Sequence, residues 1–393
     1  MRDQAPAAPA PSRAGLTARV SALYAAVYLH YGVFGVFMPV WLAHQGVGAE
    51  KVGLLVSIPM LLRVVFVAPV LGLADRLRRI RELLFACLAA TSALMAALNL
   101  AHGFVAIAAL FVVMSVSWDP IPILADAYAV CAVRARGLDF GRLRVWGSIA
   151  FVAANLIGGK AIDLAGVRIV PALTGALLLV PLAVIPLLPA DRTLGEAAPS
   201  AKGEWRGLLS NGPLVLVMLA TALIVSSQAL FAVFAAIHWT AKGYSATFVG
   251  LLSVIGIGAE IMVLWLAQMG LKGRSPLWLI LVCGALTLLR WLLLALDPGP
   301  ALLVVAQLLQ GPGMGVIAGL MLFMAEVAPP RLVATAQGVN AVVVGLFAAV
   351  VAAASGFLWR VLGAHAYLVM ALVAAIGCLA IASQLHGTGR KAA

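Results

Sequence analysis

The stretch Val52–Arg81, VGLLVSIPMLLRVVFVAPVLGLADRLRRIR, decides how the chain is read. It holds more than the about 20 apolar residues that a helix needs to cross a bilayer. Arg63 falls in its middle. A charge there costs about 2.5–3.5 kcal/mol on insertion scales and normally faces a partner or a water-filled cavity rather than lipid. At the far end Arg76, Arg78, Arg79 and Arg81 cluster, and such a cluster fixes its end of the helix in the cytoplasm.

The stretch has an echo. Val52-Gly53-Leu54-Leu55 recurs 197 residues later as Val249-Gly250-Leu251-Leu252. On that register Arg63 falls on Glu260, and Gly159 and Gly166 fall on Gly356 and Gly363. Trp41-Leu42-Ala43 matches Trp239-Thr240-Ala241 with one residue of slippage. A same-direction repeat of half the chain's length predicts two similar halves facing each other across the membrane.

With 64% hydrophobic and 10% charged residues over 393 positions, a soluble core is excluded and a polytopic membrane protein is expected. Cys87, Cys131, Cys283 and Cys378 stand singly in apolar segments without metal-ligand spacing, so they read as packing residues and no metal or cofactor is expected. The net charge of +12 reflects membrane topology rather than nucleic-acid binding, because the basic residues gather in loops assigned to the cytoplasm.

Twelve spans follow from hydropathy, from Val20–Leu42 to Ala366–Ser383. The first carries Tyr24, Tyr28 and Tyr31 on one helical face, a stripe that either lines a cavity or packs. The fourth contains Trp118-Asp119-Pro120-Ile121-Pro122 and then Asp126. Its prolines should interrupt the helix at membrane depth, which is tolerated where freed backbone lines a cavity. At 1.5 Å per residue, Asp119 lies roughly 22 Å from Phe104 and Asp126 roughly 33 Å. Asp119 is then intramembrane, and Asp126 lies near the cytoplasmic surface. Asn155 is the central polar residue of span five, Gln228 follows Ser226-Ser227 in span seven, Glu260 sits in span eight, Arg290 in span nine, and Gln307 and Gln310 in span ten. His30, His238 and His365 fall near outer span ends and are expected at the interface.

Both termini are placed in the cytoplasm. On this layout the cytoplasmic segments hold nineteen Lys/Arg and the outer segments five, Lys51, Lys160, Arg168, Lys242 and Arg360. The expected organisation is a disordered tail over 1–16, a six-helix half over 17–189, a basic linker over 190–208, a second six-helix half over 209–384 and a tail over 385–393.

Twelve spans in two parallel halves, with an arginine cluster between spans two and three, resemble the major facilitator superfamily. That family's G-x-L-A-D-R-x-G-R loop is matched by Leu73-Ala74-Asp75-Arg76 and Arg79, with the first glycine displaced to Gly72 and the second replaced by Arg78. The resemblance implies a gating role for Asp75, Arg76 and Arg79. More narrowly, VGLLVSIPMLLR, LADAYAV, GRLRVWGSIAFV, IHWTAKGYSATFVGLL, GAE, LRWLLLA and RLVATAQG resemble the phenylpropionate-permease-like branch, which is related to lactose and nucleoside proton symporters. Two departures stand out. A histidine is expected in span seven where this chain has Gln228, and another in span ten where it has Gln310. A glutamine keeps hydrogen bonding but cannot change protonation near neutral pH.

The candidate chemistry lies in the buried charges. Glu260 suits a proton carrier, since a carboxyl in low dielectric can be neutral or charged as access alternates, and Arg290 in the next span suits attraction or release of that proton. The alternative is a static ion pair joining two helices. Arg63 suits fixed recognition of an anion, or else pairs with Asp119. Trp118, Tyr31, Asn155, Gln228 and Gln310 complete the candidate substrate contacts. The expected function is proton-coupled symport of a small organic solute by alternating access, with an aromatic carboxylate such as phenylpropionate favoured by the resemblance alone. A sugar, nucleoside or drug carrier, an exporter, or a solute sensor that binds without transport are the competing readings. No convergent nucleophile, metal cluster or paired acids support an enzyme. A monomer in a bacterial inner membrane, with the solute, protons and the lipid bilayer as its partners, completes the expectation.

Overall fold

The computed structural model describes residues 12–77, 79–190, 210–270, 275–329 and 332–392. All regular structure among them is helical. The helices are α1 (Arg13–His44), α2 (Ala49–Leu77), α3 (Ile80–Leu100), α4 (Phe104–Trp118), α5 (Pro120–Arg136), α6 (Phe140–Ala165), α7 (Val170–Val184), α8 (Gly212–Ser226), α9 (Gln228–Ala241), α10 (Ala246–Gly270), α11 (Pro276–Ala295), α12 (Pro300–Leu308), α13 (Gly311–Val327), α14 (Val333–Leu362) and α15 (Ala366–Ala392). Ten stretches are long and apolar enough to cross a membrane. The longest, Thr335–Leu385, takes in most of both α14 and α15, and α2, with Arg63 in its interior, falls outside the set. Counting these separately is consistent with twelve spans.

Helix α1 begins at Arg13, where the Ser12 hydroxyl accepts from the Gly15 amide at 3.1 Å. Helical structure thus reaches into the expected tail over 1–16, whose residues 1–11 lie outside the described set. The linker over 190–208 lies outside it too, apart from Ala190. At the other end α15 continues to Ala392, through the expected tail over 385–393.

Three spans are interrupted, each for a local reason. Between α4 and α5, Pro120 has no amide to continue the ladder and its ring opposes the preceding turn. The break expected from the prolines is therefore present, with Asp119 at the junction. Between α8 and α9, Ser226 and Ser227 turn their hydroxyls back onto the carbonyls of Leu223 and Ile224, at 3.1 and 2.6 Å. Such back-bonding competes with the regular helix pattern. Between α12 and α13, the Gln310 amide reaches back only to Gln307 O at 3.0 Å, just before Pro312. Gln228 and Gln310 thus stand beside helix breaks.

The chain forms two compact units. The first comprises Met1–Phe34, Val65–Gly158 and Ile169–Pro199; the second comprises Gly35–Val64, Gly159–Arg168 and Ser200–Ala393. In the first, α3 packs on α4, α5 and α7, with Leu84, Leu88, Met95, Ile107, Phe111 and Leu178 buried. In the second, a core of Leu214, Val217, Ile280, Val316, Leu320 and Met324 joins α8, α11 and α13, with Ile381 of α15 against it.

Within the second unit the internal repeat becomes two matching joints. Asp163 at the end of α6 caps α10: its carboxylate accepts from the amides of Ala246 and Thr247, at 2.6 and 3.0 Å, and from the Thr247 hydroxyl at 2.6 Å. A carboxylate is favoured there because the first amides of a helix are unpaired and carry partial positive charge. In the other joint, Arg360 at the end of α14 meets Glu50 in the first turn of α2, Nε to Oε1 at 2.8 Å. Asp163 and Arg360 are 197 residues apart, as are Thr247 and Glu50. Close approach is permitted by glycine in each: Gly159 lies against the backbone of Ala246 and Thr247, and Gly356 against that of Ala49 and Glu50.

A side chain at Gly356 would meet Glu50 Cα at 2.5 Å. Gly356→Val is expected to destabilise by about 1–3 kcal/mol, the usual range for overpacking, measured as a lower melting temperature in detergent. Gly258→Ala, which meets nothing within 4 Å, should melt like the native protein.

The α11–α12 turn carries a second testable contact. Asp297 Oδ1 meets His238 Nε2 at 2.7 Å and Lys242 Nζ at 2.9 Å. Partial burial alone would raise its pKa, but the hydrogen bonds and charges of His238 and Lys242 outweigh burial and lower it. The folded value is below the unfolded one, so the contact stabilises above the ordinary aspartate range, about pH 4. That contribution is lost as pH falls through the folded value. Asp297 has φ of 49°, a conformation that Asn also tolerates. Asp297→Asn should therefore lower stability at pH 7 and flatten its acid dependence, as read from melting temperatures between pH 3 and 7.

Candidate functional site

In the second unit, α11 carries Arg290 into a fully buried position (0% exposed). Its Nε donates to Ala306 O at 3.0 Å. Nη1 donates to Gln228 Oε1 at 2.7 Å, and Nη2 to Gln310 Oε1 at 2.9 Å and Gln307 Oε1 at 3.3 Å. The guanidinium lies over the Phe231 ring at 4.1 Å and near Trp291 at 4.9 Å, so cation–π attraction adds to its hydrogen bonds. Every hydrogen-bond acceptor around it is a neutral dipole. Removing a cation from water costs several kcal/mol even after relaxation, so the acceptors and rings offset a large penalty without cancelling the charge.

Glu260, on α10, is half-buried. Gln310 stands between it and Arg290, accepting from the guanidinium at Oε1 and donating its Nε2–H to Glu260 Oε1 at 2.9 Å. The expected neighbours are brought together, but their charges communicate through an amide. Room for that amide comes from Gly256, where a Cβ would lie 2.7–2.9 Å from the Gln310 head group. The neighbouring Trp291 is fixed in turn: its Nε1 donates to Ser227 Oγ at 2.9 Å and its ring stacks on Tyr367 at 5.8 Å.

In the first unit Tyr31 stacks on Trp118 with ring centroids 4.8 Å apart, and its hydroxyl donates to Trp118 O at 3.1 Å. Phe34 packs against Trp118 at 4.4 Å. His30 is buried rather than interfacial, with Nδ1 at 3.0 Å from Thr174 O and its ring stacked on Phe34 at 5.2 Å. The sequence reading placed it near an outer span end, whereas it lies at the middle of α1 (Arg13–His44) with its ring toward α7. Asn155 is buried and donates to Phe151 O at 2.9 Å. Its neighbour across the helix contact is Gly32, whose missing side chain admits it. Asp119 is half-buried at the α4–α5 junction.

Sequence reasoning missed a second charge cluster in this unit. Asp126 Oδ1 accepts from the Tyr24 hydroxyl at 2.7 Å, and both carboxylate oxygens accept from Arg144 Nη1, at 3.1 and 3.0 Å. Arg144 also lies 5.9 Å from the centre of the Tyr28 ring. Counting along one helix placed Asp126 near the cytoplasmic surface, and Arg144 was not among the candidate residues. The usable signal was an acid and a base flanking a short loop, opposite a tyrosine stripe.

Arg63 is exposed on α2, in the second unit. The backbone of Asp75 and Arg76 is helical within α2, while their side chains and the whole of Arg78 lie outside the described set. Arg79 is exposed immediately before α3.

Membrane-length helices in this number, several interrupted where polar side chains cluster, define a polytopic solute carrier. The chain belongs to the MFS_1 like family, which matches residues 19–369. It is 28% identical over 367 residues to a protein of Escherichia coli (strain K12) named a probable 3-phenylpropionic acid transporter, covering 89% of this chain and 93% of the relative. It is 26% identical to the maltose permease of Geobacillus stearothermophilus, over 93% of this chain and 95% of that one. Among solved structures it resembles the nucleoside transporter NupG, with TM-score 0.77 at 14% identity, covering 94% of this chain and 99% of NupG. It also resembles a D-xylose-proton symporter, with TM-score 0.68 at 15% identity, covering 93% and 96%. The protein is a major facilitator transporter with the helical fold of that superfamily, and not an enzyme.

The Tyr24 hydrogen bond gives a test of the first-unit cluster. Tyr24→Phe should cost about 1 kcal/mol, the usual net value of one such bond. A double-mutant cycle with Asp126→Asn, read by thermal melting, should return a coupling of similar size.

Proposed function

We propose that the chain is a proton-coupled symporter of a small organic solute, with an aromatic carboxylate such as phenylpropionate favoured, working by alternating access. The observation that carries this reading is the bridged arrangement of Glu260, Gln310 and Arg290. A half-buried carboxyl joined by one amide to a buried cation can hold a proton or release it without dismantling the helices around it. Its charge state then alters what Arg290 meets. Proton carriage falls to Glu260, with Arg290 setting its electrostatic surroundings. Gln228, Gln310, Trp118, Tyr31, Asn155, Asp119 and Arg63 are the proposed solute contacts, and Asp75, Arg76 and Arg79 the proposed gate. The relative named for 3-phenylpropionic acid supports the substrate class, and the fold shared with a proton symporter supports the coupling. The proposed setting is a monomer in a bacterial inner membrane, with both termini in the cytoplasm and two six-helix halves over 17–189 and 209–384.

A second reading, a carrier of neutral sugars or nucleosides, is favoured by one feature. Gln228, Gln307 and Gln310 converge in one place, and amide groups suit hydroxyl-bearing solutes. The maltose permease relative points the same way.

Uptake of labelled 3-phenylpropionate into proteoliposomes, with and without an inward proton gradient, tests the proposal. Accumulation should require the gradient. Glu260→Gln, which cannot carry the proton, should lose accumulation while still exchanging preloaded solute. Gradient-independent uptake of maltose or nucleosides, with none of 3-phenylpropionate, would establish the second reading instead.

A further inference from the structure

The bonds around Arg290 divide into two edges. Nε donates to Ala306 O and Nη2 to Gln307 Oε1, both on buried residues. Nη1 donates to Gln228 and Nη2 also to Gln310, and these two glutamines are half-buried. One edge is therefore structural, while the other is covered only by two amide arms beside helix breaks. Among the described residues no carboxylate touches this cation. A guanidinium presents parallel N–H groups that match the two oxygens of a carboxylate, and such charge-assisted pairs are roughly twice as strong as neutral hydrogen bonds. The half-buried Phe231 ring, 4.1 Å beneath the guanidinium, supplies an apolar surface at the same place.

Resting on the symport reading above, we propose that Arg290 is the residue that binds the carboxylate of the transported solute, which replaces Gln228 and Gln310 on its terminal nitrogens. Arg63, the sequence-based candidate, is not needed for this step. Coupling follows from the second hand of Gln310. When its Oε1 leaves Arg290, its Nε2–H also leaves Glu260, and a new negative charge arrives nearby. Both changes favour a proton on Glu260. The charged group facing Glu260 is Arg290; Tyr367, stacked on Trp291, is the other titratable group near the guanidinium. Charge balance is kept throughout. The empty cluster pairs an ionised Glu260 with Arg290, and the loaded cluster pairs the solute carboxylate with Arg290 beside a neutral Glu260. Proton and carboxylate therefore bind cooperatively, each raising the affinity for the other by the same factor. A neutral solute would leave the protonated cluster with an uncompensated buried cation, so carboxylates are the class this site accepts under proton coupling.

The test measures binding of 3-phenylpropionate, benzoate and octanoate to purified full-length protein, with proton uptake followed by a pH indicator in weakly buffered solution. Gln228→Glu places a fixed carboxylate on Nη1 while keeping Arg290 compensated. It should weaken carboxylate binding about 30-fold or more, the scale of losing a charge-assisted pair, with an unchanged melting temperature confirming the fold. Gln310→Ala should take up fewer protons per carboxylate bound than the native chain, because the amide that links Arg290 to Glu260 is gone. If the native chain accumulates 3-phenylpropionate while Gln228→Glu binds it within about 3-fold of native, a change under 1 kcal/mol, the Arg290 assignment is overturned and the symport reading stands. A proton-to-carboxylate ratio in Gln310→Ala equal to the native one overturns the coupling role of that amide. If the folded native chain binds none of the three acids, the substrate class and the Arg290 assignment fall together.

Discussion

A buried guanidinium whose acceptors among the described residues are all neutral is the constraint on which the second unit depends. Lysine could not fill the position in the same way, since its three donors radiate from a point and lack the planar face that rests on Phe231. The helix irregularities acquire a purpose from it. The serine pair before Gln228 and the Pro312 turn after Gln310 bring two amide side chains from separate spans to one cation. Gly256 and Gly313 leave space for their head groups. Helix α11 thus supplies the charge, while breaks elsewhere supply the groups that hold it.

The internal repeat governs backbone geometry more strictly than chemistry. Gly159 and Gly356 occupy equivalent places, each against the first residues of a helix whose start is also repeated. The polar contacts beside them are exchanged. In one joint the acid comes from the helix end and the partner is backbone amide; in the other the acid comes from the helix start and the partner is Arg360. A glycine contact allows only one residue type, because any Cβ would enter backbone. A polar contact at a helix start can be met by any group that answers the unpaired amides or a local charge, so its residues diverge freely.

Hydropathy, charge bias and the repeat made the helical fold legible, since each depends on residue type summed over many positions. The interruption at Pro120 was legible because proline acts locally. The nearness of Glu260 and Arg290 followed from adjacent spans, but the intervening Gln310 did not. Its place depends on where one side chain points after a bend 50 residues beyond Glu260. Asp126 and Arg144 escaped for a related reason. Depth along a straight helix placed one near the surface, whereas the α4–α5 break and the rotation of α6 decide what each meets. His30 shows a further error: it was placed near a span end, but it lies at the middle of α1 with its ring packed inward. One-dimensional patterns report azimuth poorly, and functional contacts are set by azimuth.

The two arginine clusters differ in a way that bears on which of them answers to an anion. Arg144 already contacts both oxygens of Asp126 and is itself about half exposed (side chain 47%). A solute carboxylate would have to displace a like charge to reach it, while water already screens the cation. Arg290 touches no acid among the described residues and is fully buried, so an anion that displaced its amide oxygens would bring opposite charge where screening is weakest. The gain on anion binding is therefore larger at Arg290, although Arg144 is the easier of the two to reach. Tyr24, Asp126 and Arg144 suit a compensated polar network that positions α1, α5 and α6, whereas Arg290 reaches its nearby acid, Glu260, only through the amide of Gln310. Buried cations whose direct partners are neutral are costly to maintain, and a fold that keeps one in place gains most from an anion that comes into direct contact with it.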